Sequence, residues 1–114
     1  MNTYKVIFHV DELPKWKLVL TNTKNLLDAL IENTLVIEIL ANSEAVKFFI
    51  ETDNVNQKQL LDLVSNNVIF TACNNSLTTF AIEPKSLFSF VSIVPSGVAE
   101  LAIKQHAGFA YIKP

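Results

Sequence analysis

Hydrophobic residues follow two alternating rhythms along this chain. Residues 4–10, YKVIFHV, form a nearly continuous apolar run of β-branched and aromatic residues, as in a strand buried on both faces. From Pro14 the spacing changes. Trp16, Val19, Leu20, Leu26, Leu27 and Leu30 recur at helical intervals, which predicts a long amphipathic helix over 14–32 with Pro14 in its first turn. TLVIEILA (34–41) reads as a second strand, and Asn42 or Ser43 is placed to cap a short helix through EAVKFFIE. After the polar TDNVN, Asn56 opens a helix through QKQLLDLV, with Gln59 spaced for a capping box. NVIFTA (67–72) is a third strand and CNNSLTTFAI begins another helix. FVSIV (90–94) is a fourth strand, SGVAELAIKQHA (96–107) a helix that Gly108 can end, and FAYIKP (109–114) a last short strand. Strand and helix alternating at this spacing predict right-handed βαβ crossovers and a mainly parallel sheet covered on both faces. The expectation is one α/β domain over 1–114, in three layers.

Composition adds an expectation of assembly. Half of the 114 residues are hydrophobic and 18% are charged, against about 25% charged in a typical soluble domain; mean hydropathy is +0.32. Such an excess belongs in doubly buried strands and in contacts between subunits. The eight phenylalanines exceed what one small core needs, which points to Phe48, Phe49, Phe80, Phe88 and Phe90 as interface candidates.

Several classes of function are excluded. The longest apolar region, FVSIVPSGVAELAI, is broken by Pro95, Ser96 and Gly97 and falls short of the roughly 20 residues of a spanning helix. The N-terminal run is too short and polar for a signal peptide, so no membrane association and a cytoplasmic location are expected. All nine basic residues are lysines, and they are scattered. Without arginine there is no bidentate grip on phosphate or guanine, and there is no basic stripe, so no nucleic-acid partner is expected. A single cysteine excludes an internal disulfide and a cysteine-rich zinc site. No P-loop, dinucleotide fingerprint, HExxH or GxSxG occurs, so neither a metal nor a cofactor is expected.

In open α/β sheets ligands bind beyond the carboxyl ends of the strands. Those positions hold His9 after the first strand, Asn42 after the second, Cys73, Asn74, Asn75 and Ser76 after the third, and Ser96 and Gly97 after the fourth. Cys73 stands at a predicted helix start, where free N–H groups lower a thiol's pKa and favour the nucleophilic thiolate. His9 is a base or hydrogen-bond partner for it if the first and third strands are neighbours. Asn74, Asn75 and the adjacent N–H groups could hold an anionic group. Each residue also has a plainer role: Cys73 as a small buried hydrophobe, Asn74 and Asn75 as turn and cap, His9 as a bonded structural histidine.

The segments KVIFHV, ANSEAVKFF, FTACNNSL and VSIVPSGVAELAIKQHAGFAYIKP resemble, over almost the whole chain, the short stand-alone members of the DsrE/DsrF-like family. The most distinctive parts are the Cys73-Asn74-Asn75 block and the C-terminal PSGVAEL with its following AYIKP. The resemblance implies an α/β/α sandwich on a five-stranded, mainly parallel sheet. It implies homo-oligomers, trimers or hexamers. It also implies sulfur chemistry, since family members of sulfur oxidation carry a persulfide on a cysteine and relay it between proteins. Cys73 is the one residue here able to take that role, with a sulfur donor or acceptor protein as its partner. The alternative is a non-catalytic oligomeric module that binds a small anion or metabolite at the carboxyl edge.

Overall fold

A computed structural model describes residues 1–114. Five strands, β1 (Thr3–Val10), β2 (Thr34–Ala41), β3 (Val68–Cys73), β4 (Val91–Val94) and β5 (Ala110–Ile112), form one sheet in the order β4-β3-β2-β1-β5. Every pairing is parallel. The helices are α1 (Trp16–Ala29), α2 (Gln57–Ser65), α3 (Asn74–Thr79) and α4 (Gly97–His106), with 3-10 segments at Leu13–Lys15, Ser43–Phe49 and Pro84–Ser86. No helix is long and apolar enough to cross a membrane.

The chain steps from β1 to β4 in one direction, then jumps back across the sheet to add β5 beside β1. Right-handed crossovers send connections of opposite direction to opposite faces. The connections from β1 to β4 therefore share one face, and α4 crosses the other. The large core lies on the first face, where Val6, Phe8, Val10, Ile37, Ile39, Ala41, Val68, Phe70 and Ala72 meet Trp16, Val19, Leu20, Leu60, Leu63 and Leu77. The second face has a small cluster of Ile7, Leu40 and Leu101, joined by Val94 and Phe109.

Several local expectations are corrected. The long first helix is a 3-10 turn containing Pro14 followed by α1. The segment after β2 is a 3-10 helix whose preceding Asn42 makes no capping bond. The capping box at Asn56 does not form; instead Asn54 accepts from the Asn56 N–H and donates to the carbonyls of Phe48 and Ile50. The phenylalanines proposed for interfaces mostly fill the interior. Trp16 stacks on Phe48 at 4.5 Å and meets Phe49 edge-on at 5.1 Å, and the series runs through Phe70 to Phe90 and Phe88. The indole N–H donates to the Ala45 carbonyl, so the ring is buried with its polar atom satisfied. Of the five, Phe80 alone stays exposed, at 36%, beneath the Lys47 ammonium. The 3-10 segment brings no broad helical face to the sheet, and large aromatic rings fill the space it leaves.

Phe49→Ala, which deletes the ring between Trp16 and Phe70, is expected to cost about 3–5 kcal/mol, measured as a fall in the urea midpoint followed by Trp16 fluorescence.

Candidate functional site

Topology places the site. The connection leaving β3 turns to the face of the large core, and the connection leaving β4 turns to the opposite face. Neighbouring strands whose exits diverge leave a crevice at their carboxyl ends. Cys73 ends β3 at that point, and Gly97 opens α4 across from it.

The sulfur of Cys73 is 5% exposed as a residue and lies among donors. The Gly97 N–H donates to Sγ at 3.2 Å; it is one of the orphan N–H groups of the first turn of α4. Cys73 is also the N-cap residue of α3, the position from which Ser or Asp accepts bonds from the second and third helical N–H groups. Here those groups belong to Asn75 and Ser76. They fall short of full capping geometry but act on the sulfur electrostatically. The Ser76 hydroxyl oxygen already accepts from the Ser43 N–H at 2.7 Å, which leaves its proton for the thiol. Ser43 adopts a left-handed φ of 53° in making that bond.

Burial pushes the Cys73 thiol up, and the nearby Ser76 hydroxyl, the Gly97 N–H bond and the Ser76 and Asn75 N–H groups together outweigh it. The net direction is below the ordinary thiol value. α3 has only six residues, so individual N–H groups from two helix starts act here, rather than a macrodipole.

Gly97 lets the backbone pack closely here. A Cβ there would lie 3.2 Å from the Cβ atoms of both Asn42 and Cys73 and 3.5 Å from Sγ. Asn42 and Cys73 thus meet at the same glycine. Asn42 is held from its other side: His9 Nε2 donates to its Oδ1 at 2.9 Å, and His9 Nδ1 pairs with the Tyr111 hydroxyl at 2.7 Å. An amide oxygen only accepts, so Nε2 is the nitrogen that donates to Asn42.

The expected residues therefore divide. Cys73, Ser76, Gly97 and Asn42 come together. His9 does not reach Cys73 directly, because β2 lies between β1 and β3; the strand adjacency that contact depended on is absent, and Asn42 stands between them. Asn75 contributes its N–H, and the Asn74 and Asn75 side chains make no hydrogen bond. Ser96 caps α4 by accepting from the Ala99 N–H at 3.3 Å. Two residues were missed. Tyr111 is in register with Ile7, which puts it on the His9 side of the sheet, but a three-residue strand gives no pattern from which to read a face. Glu38 had a signal, a lone carboxylate inside the apolar TLVIEILA. All four surface grooves lie away from Cys73; the largest, about 610 Å³, runs between α1 and α2 past Lys24, Asp28 and Gln59.

Gly97→Ala is expected to push the start of α4 off the sulfur, raise the Cys73 pKa and slow alkylation at neutral pH severalfold, read from iodoacetamide kinetics on folded protein. A lowered thiol pKa also predicts that stability increases with pH between the lowered value and about 8.5, where the unfolded chain still holds the proton. Cys73→Ser should flatten that rise in thermal midpoint.

With the geometry in view, the chain can be set beside known proteins. The model of the DsrE/DsrF-like family matches residues 5–114. No curated protein matches. Among solved structures, MTH1491 from Methanobacterium thermoautotrophicum, a protein of unknown function, is 31% identical with a TM-score of 0.88, over 97% of this chain and 99% of that one. The ychN protein from E. coli shares the fold at a TM-score of 0.79 and 18% identity, over 97% and 99% of the two chains. A family match across nearly every residue, with the same five-stranded fold, shows that this chain belongs to the DsrE/DsrF-like family.

Proposed function

We propose that the protein is a sulfur carrier of the sulfurtransferase type, with Cys73 as the residue that bears the persulfide. One observation carries the reading: a nearly buried sulfur to which N–H and O–H groups from two helix starts are directed, with a pKa lowered despite burial. That arrangement suits a thiolate and gives no advantage to a thiol that only fills space. The step balances without an external oxidant. The Cys73 thiolate attacks the outer sulfur of a donor persulfide R–S–SH. The new S–S bond forms as the old one breaks, and the donor leaves as R–S⁻. An acceptor thiolate then attacks the outer sulfur of Cys73–S–SH and regenerates the Cys73 thiolate. No second cysteine is needed.

The partners are a sulfur donor, an acceptor protein and further copies of this chain. The outward side of α4 carries Val98, Ala99, Ala102 and Ile103, with Val98 72% and Ile103 59% exposed, before it turns polar at Gln105 and His106. An apolar stripe on a surface helix fits a homo-oligomer, a trimer or hexamer, better than a free monomer. A thiol held reduced fits the cytoplasm. The second reading is a small-anion module at the same edge, favoured by the same N–H donors; its signature is ligand binding indifferent to Cys73→Ala.

Mass spectrometry of the intact protein after exposure to a persulfide donor tests the carrier. The wild type should gain one sulfur atom and lose it to an added thiol, while Cys73→Ser should gain none. Equal gain by both would end the proposal. Light scattering at micromolar concentration should give a trimer or hexamer, and Val98→Glu with Ile103→Glu should shift it toward monomer.

A further inference from the structure

Glu38 is a carboxylate in the middle of the second strand of the sheet's interior, 2% exposed. The Thr71 hydroxyl donates to its Oε2 at 2.8 Å, and the Lys104 ammonium lies 2.9 Å from its Oε1. Lys104 also reaches Glu100 at 3.4 Å and lies 5.1 Å from the centroid of the Phe109 ring. Nothing in the sulfur chemistry uses these groups.

A buried ion pair is weak support for stability, because desolvation offsets the attraction. The direction here agrees. Burial, foremost, and then the nearby Glu100 raise the Glu38 pKa, against the bonds from Lys104 and Thr71. A raised carboxylate pKa means the folded state holds the proton more tightly than the unfolded chain. The charged form is therefore a cost to stability, present above the raised value and absent below the ordinary one. The same bond, foremost among its causes, raises Lys104, whose charge stays in place throughout that window.

The spacing along α4 suggests what the pair does. Gly97, Leu101 and Lys104 are four and three residues apart, so they share one face of the helix. Each meets the sheet at a different point: Gly97 at Cys73, Leu101 at Ile7 and Leu40, Lys104 at Glu38. The apolar cluster beneath α4 has only three buried members, and the outward side of the helix is exposed. Two polar contacts set how α4 lies along the sheet: this ion pair within the helix, and the Lys5 ammonium of β1 donating to the Ala107 carbonyl at 2.7 Å at the helix end.

We propose that Glu38 and Lys104 are positioning residues that fix the register of α4, so that its first N–H is held against Cys73 Sγ. The pair deepens the reading of Cys73 as a thiolate, and it rests on that reading for its purpose. Protonating Glu38 removes the attraction and leaves Leu101 and the bond from the Lys5 ammonium to the Ala107 carbonyl to hold that end of α4. The titratable groups on this face around Glu38 are Lys104 and Glu100 from α4 and Lys5 from β1, two residues from the in-register Ile7; β3 presents Ile69 in register and the Thr71 hydroxyl.

The test is the pH dependence of Cys73 alkylation in Glu38→Gln and Lys104→Ala, with the thermal midpoint taken on the same samples. Both should raise the thiol pKa, by half a unit or more, about a threefold loss of thiolate at neutral pH. Glu38→Gln should keep or raise the midpoint, a split that a purely structural role would not give. Lys104→Arg should restore the wild-type rate. An unchanged thiol pKa in folded Glu38→Gln overturns the proposal. Should the variants not fold, an acid titration of isotope-labelled wild type by NMR decides. The Gly97 amide resonance must move together with the Glu38 carboxyl, and a Gly97 amide that ignores Glu38 overturns it. An ordinary thiol pKa in the wild type would instead defeat the carrier reading, while the coupling of Gly97 to Glu38 is read independently.

Discussion

The handedness of one crossover fixes everything that matters at the Cys73 edge. The connections from β1 to β4 step the same way and share a face. The jump from β4 back to β5 reverses direction, so α4 crosses the other face. Two consequences follow together. The exits of β3 and β4 diverge, which brings the starts of α3 and α4 to opposite sides of one sulfur. The second face is left with a single helix, so its apolar cluster is small and a polar contact between Glu38 and Lys104 has a place to act. A sheet whose connections all ran one way would have neither feature.

The site is assembled from weak parts whose directions agree. A hydroxyl whose oxygen is already used, an N–H from one helix, two from another and a glycine that lets backbone approach sulfur would each move a thiol only slightly. Together they offset the burial that opposes ionisation. Asn42 belongs to the same arrangement through Gly97, with His9 and Tyr111 extending it toward β5. The low-dielectric setting strengthens each of these bonds, and it is also why an unsatisfied group there would be costly.

Much of the fold was readable from periodicity. The bounds 34–41 for β2 coincide with the observed strand, and the doubly apolar strands form an all-parallel sheet. Strand order was not readable, because in-register parallel neighbours leave no local mark. The link from His9 to Cys73 was therefore conditional on β1 and β3 being neighbours, and β2 separates them. The phenylalanines misled for a related reason. Their number suggested a surface need, whereas the 3-10 segment at Ser43–Phe49 leaves a gap that rings fill. Exposed apolar residues stand instead on α4, where Val98 and Ile103 flank Glu100 and Leu101 in SGVAELAI. Cys73, Ser76 and Gly97 were legible as strand ends, but their convergence depends on which face each connection takes.

The central claim is that the fold lowers the Cys73 thiol below its ordinary pKa and so favours the thiolate. The most direct measurement is the rate of alkylation of native protein against pH. The account predicts a titration midpoint clearly below about 8.5, the ordinary thiol value. A midpoint at or above that value, or a thiol that alkylates only on unfolding, would contradict it and leave Cys73 as packing.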